Sequence, residues 1–317
     1  MVLPFAPLPR IWLDNHLGEC ENKIVADGND IFCPADLTSL YHMENNTETL
    51  YFSPTSQIQE VFMALMKYLT KGNLSVQIHD TRQAMASAAA KEGAALLRRL
   101  LEKQETVRVV FAAAPSQNEF LEALCQAPHV DWSRVTAFHM DEYVGLRPDA
   151  PQGFGNFLRR AIFDRLPFGS VHYINGNAAD TDAECERYAA LLKEAPLDVV
   201  FLGIGENGHI AFNAPSTADL EDPKAVKPVV LDPICRIQQV HDGCFPSLDQ
   251  VPETAITLTV PTLASAAHHL CIVPARAKAN AVKAALEAPI GTTCPATVLR
   301  VCSDPVLYLD QDSASLL

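Results

Sequence analysis

The chain has 317 residues, 48% hydrophobic and 20% charged, with 24 Lys and Arg against 38 Asp and Glu, a net charge of −14. It is too apolar for a disordered polymer, long enough for one large domain or two modest ones, and too acidic for a general nucleic-acid binder, which needs a basic surface. No run approaches the roughly 18 apolar residues of a membrane span.

Residues 1–55 carry Pro, Asn and acidic residues with weak periodicity, and read as an irregular N-terminal extension. Residues 56–317 read as one α/β domain. Met1–Leu13 holds three prolines and a late Arg10, which does not fit a signal peptide. A helix is predicted near Gln57–Lys71, from Val61, Phe62, Leu65, Met66 and Leu69 at helical spacing, with Gly72-Asn73 as its stop.

A regular alternation starts at Leu74. Leu74–Ile78 reads as a strand, and Asp80 or Thr81 can cap an Ala-rich helix to about Lys103. Val107–Ala112 is an apolar run of buried-strand type. A helix over Ser116–Cys125, a strand over Arg134–Met140, a helix near Phe154–Asp164 and a strand at Val171–Ile174 follow. Thr181–Ala195 reads as a helix opened by a capping box of Thr181 with Glu184. Leu197–Leu202, Ala255–Val260, His269–Val273 and Val306–Leu309 complete the strands, with a helix over about Ala275–Glu287 among them. Strands alternating with helices imply a modified doubly wound, largely parallel sheet with helices on both faces.

Nine cysteines are scattered through the chain without a CxxC pair or zinc-type spacing. They read as reduced thiols of a cytoplasmic protein, with no metal site.

Ligands of such sheets bind beyond the carboxyl ends of the strands. Three strand ends carry chemistry: Ala112 to Gln117, which includes Ser116; His139 to Tyr143, which includes Asp141 and Glu142; and Gly203 to His209, which includes Gly205, Asn207 and Gly208. Gly203-x-Gly205-x-x-Gly208 has the form of a dinucleotide fingerprint, but no clear helix follows it. The glycines suit a tight turn that lets backbone approach a ligand. Asp141 and Glu142 read either as turn-capping carboxylates or as a carboxylate pair in a partly dry crevice. His209 reads as a structural histidine or as a proton carrier to a sugar ring oxygen. Lys278 suits a phosphate contact beside helix N-terminal amides. Arg236 and His241 fit a phosphate or ring contact, or a surface loop.

These segments together resemble the glucosamine-6-phosphate deaminase/isomerase family. The resemblance rests on Phe138-His-Met-Asp-Glu-Tyr-Val-Gly-Leu146, Asn175-Gly-Asn-Ala178 and Asp182-Ala-Glu-Cys185. Its strongest part is Leu202-Gly-Ile-Gly-Glu-Asn-Gly-His-Ile-Ala-Phe-Asn213, followed by Val251-Pro252 and Ala255-Ile-Thr257. It spans roughly residues 75–310 and implies a doubly wound α/β fold. It further implies that Asp141 shuttles a proton between C1 and C2, that His209 opens the sugar ring, that Asn207 assists it, and that Lys278 contacts phosphate. No cofactor is implied, the partner is a small sugar phosphate, and a homo-oligomer is expected.

The chain departs from the family's pattern twice. Ala214 stands where a ring-opening Glu is usual, with Glu206, Asp219 and Asp222 as candidate replacements. Ala113-Ala-Pro-Ser116-Gln117 replaces a Gly-Gly-Thr-Pro phosphate loop, and Arg236 is the candidate phosphate arginine. Pro215–Asp249 resembles a divergent, galactosamine-6-phosphate deaminase-like branch. The alternatives are a 6-phosphogluconolactonase-like hydrolase and a sugar-phosphate-binding protein with attenuated catalysis.

Overall fold

The computed structural model describes residues 11–13, 23–26, 29–32 and 65–317. Contacts divide the chain into two units, Met1–Val61 and Phe62–Leu317. In the first, the stretch expected to be irregular carries three short strands, β1 (Ile11–Leu13), β2 (Lys23–Ala26) and β3 (Asn29–Phe32). They pair antiparallel in the order β1-β2-β3.

The second unit is built on an eight-stranded sheet. Its strands are β4 (Leu65–Lys71), β5 (Leu74–His79), β6 (Val107–Phe111), β7 (Val135–His139), β9 (Ser170–His172), β10 (Val199–Leu202), β13 (His268–Val273) and β14 (Pro305–Asp310). Their order is β4-β5-β14-β13-β10-β6-β7-β9. Every neighbouring pair from β5 to β9 is parallel, and β4 alone runs antiparallel, on the edge.

Strand β4 corrects the predicted helix over Gln57–Lys71; the part before Leu65 lies outside the described residues. Gly72, at φ +61°, makes a two-residue hairpin turn rather than a helix stop. Pairing with β5 satisfies the backbone of a segment whose apolar spacing also fitted a helix.

The sheet is covered on both faces. Side chains alternate along each strand, so Val110, Val200, Leu202 and Cys271 enter one core, while Val109, Phe111, Phe201 and Ile272 enter the other. The first core includes Tyr188 of α4 (Thr181–Lys193) and Val282 and Ala285 of α7 (Ala279–Glu287). The second is closed by α1 (Arg82–Lys103), with Met85, Ala89 and Leu97, and by α2 (Asn118–Cys125), with Phe120 and Leu124. Burial on both faces is why β10 is an unbroken apolar run and β6 is apolar except for Arg108, whose buried guanidinium donates to Leu192 O at 3.1 Å.

The N-cap of α1 is Thr81, whose hydroxyl accepts from Ala84 N at 3.1 Å. At α4 the predicted capping box does not form. Asp180, one residue earlier, accepts from Ala183 N at 3.0 Å. Glu184 turns instead to Asn175 N and to Arg187, both at 2.7 Å.

A second sheet is antiparallel and lies outside the alternating pattern. It comprises β11 (Val226–Val230), β12 (Thr254–Leu258) and β8 (Asp141–Tyr143), in the order β11-β12-β8. The strand predicted over Ala255–Val260 therefore belongs here rather than to the parallel sheet. Short helices α3 (Phe154–Leu158), α5 (Pro233–His241) and α6 (Val260–Ala264) complete the unit. Arg236 and His241 thus lie on a helix, not in a loop.

Candidate active site

The chain leaves β6 toward β7 and β9, and leaves β10 in the other direction, toward β13 and β14. The carboxyl ends of adjacent β6 and β10 therefore form a topological switch point, the place where ligands of such sheets bind. After β6, Pro115–Gln117 forms a 3-10 turn that carries Ser116. Gln117 Nε2 donates to Ser116 Oγ at 3.2 Å and to Ile272 O at 3.1 Å, tying this turn to the end of β13.

After β10 the chain makes a tight glycine turn. Gly205 N donates to His209 O at 2.9 Å, and Gly208 N donates to Gly205 O at 3.0 Å. A Cβ on Gly205 would collide with the His209 ring, and Gly208 sits at φ +81°. These two positions require glycine: the first for close approach, the second for backbone hand.

The turn folds His209 back into a dry environment. Its Nδ1 lies 2.7 Å from Asn207 Oδ1 and 3.1 Å from Cys235 Sγ. Asn207 Oδ1 also accepts from His209 N at 3.3 Å, which orients the amide. An amide oxygen only accepts, so the proton resides on Nδ1 and Nε2 is the basic nitrogen. Burial pushes the imidazole down to about 3, the Lys278 charge adds to this, and Asp232 opposes it. His209 is therefore neutral at rest.

Asp141 and Glu142 follow β7 directly and point to opposite faces of β8. Both Glu142 oxygens are engaged: Oε1 accepts from Tyr143 N at 2.9 Å and Phe154 N at 3.0 Å, and Oε2 from Gly155 N at 2.8 Å. Glu142 thus caps the start of α3, and this geometry does not favour the catalytic assignment expected from sequence. Asp141 is buried, and among the described residues its carboxylate has no such backbone partners. Burial raises its pKa well above the usual carboxylate value, and the neighbouring Glu142 charge adds to the rise.

His139, not singled out from the sequence, fixes the backbone beneath Asp141. Its Nε2 accepts from Ile174 N at 2.9 Å, so Nδ1 carries the proton donated to Asp141 O, also at 2.9 Å. Burial pushes this ring down to about 4. From the other side, Asp141 faces Thr257 in the β8–β12 register. Thr257 Oγ1 accepts from Phe212 N at 3.1 Å, three residues past His209. The Asp141 and His209 segments are therefore joined through one residue, by its backbone on one side and its hydroxyl on the other.

Lys278 is buried at 6% exposure, in the 3-10 turn Arg276–Lys278 before α7. Burial lowers its pKa, while the carboxylates of Asp242 and Glu206 oppose that fall. Ala275 just before it adopts φ +80°, a strained hand for a residue with a Cβ. Both Asp310 oxygens accept from Ala275 N, at 3.1 and 3.0 Å, and hold it there.

Arg236 stands apart from this set. Its Nη2 donates to Leu248 O at 3.0 Å and Val251 O at 2.7 Å, so the guanidinium braces the loop after α5. That geometry gives no support to a phosphate role. The candidate replacements for the absent Glu are also occupied. Asp222 pairs with Lys227 at 2.7 Å, Asp219 accepts from Glu221 N, and Glu206 lies 3.5 Å from His241. Ala214 is buried. His209 Nδ1 thus has an amide and a thiol as its partners, and no carboxylate among the described residues.

Among the described residues no group of three or more His, Cys, Asp or Glu side chains is arranged for a metal ion, and no helix is long and apolar enough to cross a membrane. The arrangement can move protons: it holds a raised carboxyl, a neutral imidazole of fixed tautomer, and a buried ammonium beside small-residue turns that suit an anion.

Fold and site together define an α/β protein of the doubly wound class with acid–base groups at its switch point. More narrowly, the chain belongs to the glucosamine-6-phosphate isomerase/6-phosphogluconolactonase family, whose model matches residues 80–307. It is 38% identical over 188 residues to a glucosamine-6-phosphate deaminase of Exiguobacterium sibiricum, covering 59% of this chain and 73% of that one. It is 34% identical over 211 residues to the glucosamine-6-phosphate deaminase of Listeria innocua, covering 67% and 88%. A solved monomeric glucosamine-6-phosphate deaminase superposes with a TM-score of 0.70 at 28% identity, over 76% of this chain and 99% of that one. The 6-phosphogluconolactonase of Thermotoga maritima shares the fold, with a TM-score of 0.60 at 20% identity, over 75% and 99%.

Proposed function

We propose that the protein is an amino-sugar-phosphate deaminase/isomerase. It converts a hexosamine 6-phosphate and water to a ketose 6-phosphate and ammonia by acid–base catalysis. The observation that carries this reading is the pairing of an untied, buried Asp141 carboxyl with a neutral His209 whose Nε2 is basic.

In this reading His209 Nε2 takes the proton of the anomeric hydroxyl and returns one to the ring oxygen, opening the pyranose. Asp141 takes the proton from C2 and delivers one to C1. The resulting C2 imine adds water and releases ammonia. Asn207 holds His209, and Ser116 and Lys278 receive the phosphate; the Gly205 and Gly208 amides are spent on the turn itself, donating to His209 O and Gly205 O. A raised carboxyl suits this shuttle, because an acid–base group works best with a pKa near the working pH.

The curated relatives are named for the gluco epimer, which favours glucosamine 6-phosphate over galactosamine 6-phosphate. The seven cysteines among the described residues are all free, which supports the cytoplasm as the compartment. A homo-oligomer is part of the proposal, and sedimentation reads it directly.

The test is ammonia release from each epimer, with Asp141→Asn as control. Release from one epimer by the native protein and none by the variant supports the reading. Release from neither epimer by folded protein overturns it, and hydrolysis of a sugar-phosphate lactone or a ligand-induced thermal shift without turnover would then mark the alternatives.

A further inference from the structure

The thiol of Cys235 has no part in the steps above, yet it sits in van der Waals contact with the group that opens the ring. It projects from the first turn of α5, a helix begun by Asp232, whose carboxylate accepts from Ile234 N at 2.9 Å. Cys235 is 1% exposed. Its sulfur lies 3.1 Å from His209 Nδ1 and accepts from Asn207 Nδ2 at 3.8 Å. Asn207 Oδ1 lies 2.7 Å from the same Nδ1. Three side chains close a triangle.

We propose that Cys235 is a positioning residue for His209. Its sulfur holds the Asn207 amide with its oxygen toward Nδ1, and so keeps the imidazole in the Nδ1–H form that leaves Nε2 for substrate. The use made of Nε2 rests on the proposed deaminase reaction; the fixed tautomer does not.

The logic is one of donors and acceptors. A side-chain amide can turn over, exchanging Oδ1 for Nδ2. With Nδ2 toward the ring, Nδ1 would have to accept and the proton would move to Nε2, the wrong form for a base at that nitrogen. The sulfur gives Nδ2 an acceptor and so acts together with the His209 N–H, which holds Oδ1 at 3.3 Å, to keep the amide from turning. It is also a soft second acceptor for Nδ1–H. Burial pushes the thiol up to about 12, so it remains a neutral neighbour. The position thereby supplies a tautomer-fixing contact without a negative charge, in a chain whose Ala214 supplies no carboxylate.

The experiment uses the full chain labelled with 15N at histidine. Native protein and Cys235→Ser should show His209 as a single Nδ1–H tautomer. Cys235→Ala, shown to be folded by its near-ultraviolet dichroism, should show a mixture of tautomers. An unchanged Nδ1–H signature in Cys235→Ala overturns the proposal. In turnover, Cys235→Ala should lower kcat about tenfold with KM within about twofold, and Cys235→Ser should recover most of that loss. An equal loss in both variants, or a change in KM alone, also overturns it. Absence of ammonia release by native protein would count against the deaminase reading, and the tautomer measurement would still decide the role of Cys235.

Discussion

Asp141 and Glu142 are adjacent residues of a three-residue strand, yet three backbone amides hold the Glu142 carboxylate while Asp141 is buried without them. The alternation of a β-strand makes the division: one side chain turns to the start of α3, the other to the opposite face of β8. The two carboxylates should therefore fail differently when replaced.

Asp141→Asn should abolish turnover and raise stability at neutral pH. The folded-state pKa of Asp141 is raised, so the folded state binds more protons than the unfolded one above the usual carboxylate value. Native stability accordingly falls as pH rises from about 3.9 toward the raised value. The variant lacks that loss. Thermal unfolding from pH 4 to 8 should show a melting temperature a few degrees above the native protein's at pH 7–8, and the gain should vanish near pH 4. A lower melting temperature at pH 7 would contradict the burial argument.

Glu142→Ala should cost about 2–4 kcal/mol of stability, because it leaves buried amides at Phe154 and Gly155 without their acceptor. Denaturant titration measures this. Its effect on kcat should stay well below that of Asp141→Asn. Equal losses in kcat would return Glu142 to the chemistry.

Acid should unfold the protein early. His209 and His139 are held down to about 3 and about 4, so between those values and the ordinary 6.5 the unfolded state binds more protons. Stability is then complete above about pH 6.5 and is lost as pH falls through that window. Proton uptake on unfolding at pH 5 should approach two from these rings. His139→Gln should reduce it by about one, at a cost in stability from the hydrogen bonds to Ile174 and Asp141.

Lys278→Met should raise KM for a phosphorylated hexosamine at least tenfold, as removal of a buried cationic partner of an anion does. Arg236→Ala should leave KM within about twofold and lower stability instead, since its bonds run to Leu248 O and Val251 O. Steady-state kinetics beside thermal unfolding separates the two, and the reverse pattern would exchange their roles.

His209→Gln should lower kcat by about 10²–10⁴-fold, the usual contribution of one acid–base group. An effect smaller than tenfold would remove His209 from ring opening.

Much of this was legible in the linear chain. The apolar run at Val199–Leu202, and Val107–Phe111 with its single Arg108, announce strands covered on both faces, and strand–helix alternation then implies a parallel sheet whose carboxyl ends are where ligands bind. Their places after strand ends and turns marked Asp141, His209 and Lys278, and the family resemblance added Asn207. What the sequence left open depended on contacts between distant segments. Leu65–Lys71 became a strand because β5 lay beside it. Glu142 became a helix cap because Phe154 and Gly155 returned to it. The bracing of Asp141 by His139 and Thr257, and of His209 by Cys235 some 26 positions away, has no periodic signature. Hydrogen-bond partners of buried polar groups are chosen by the packed structure as a whole. The sequence thus determined where titratable groups emerge from the sheet, and only the tertiary structure decided which of them are tied to backbone amides and which are not.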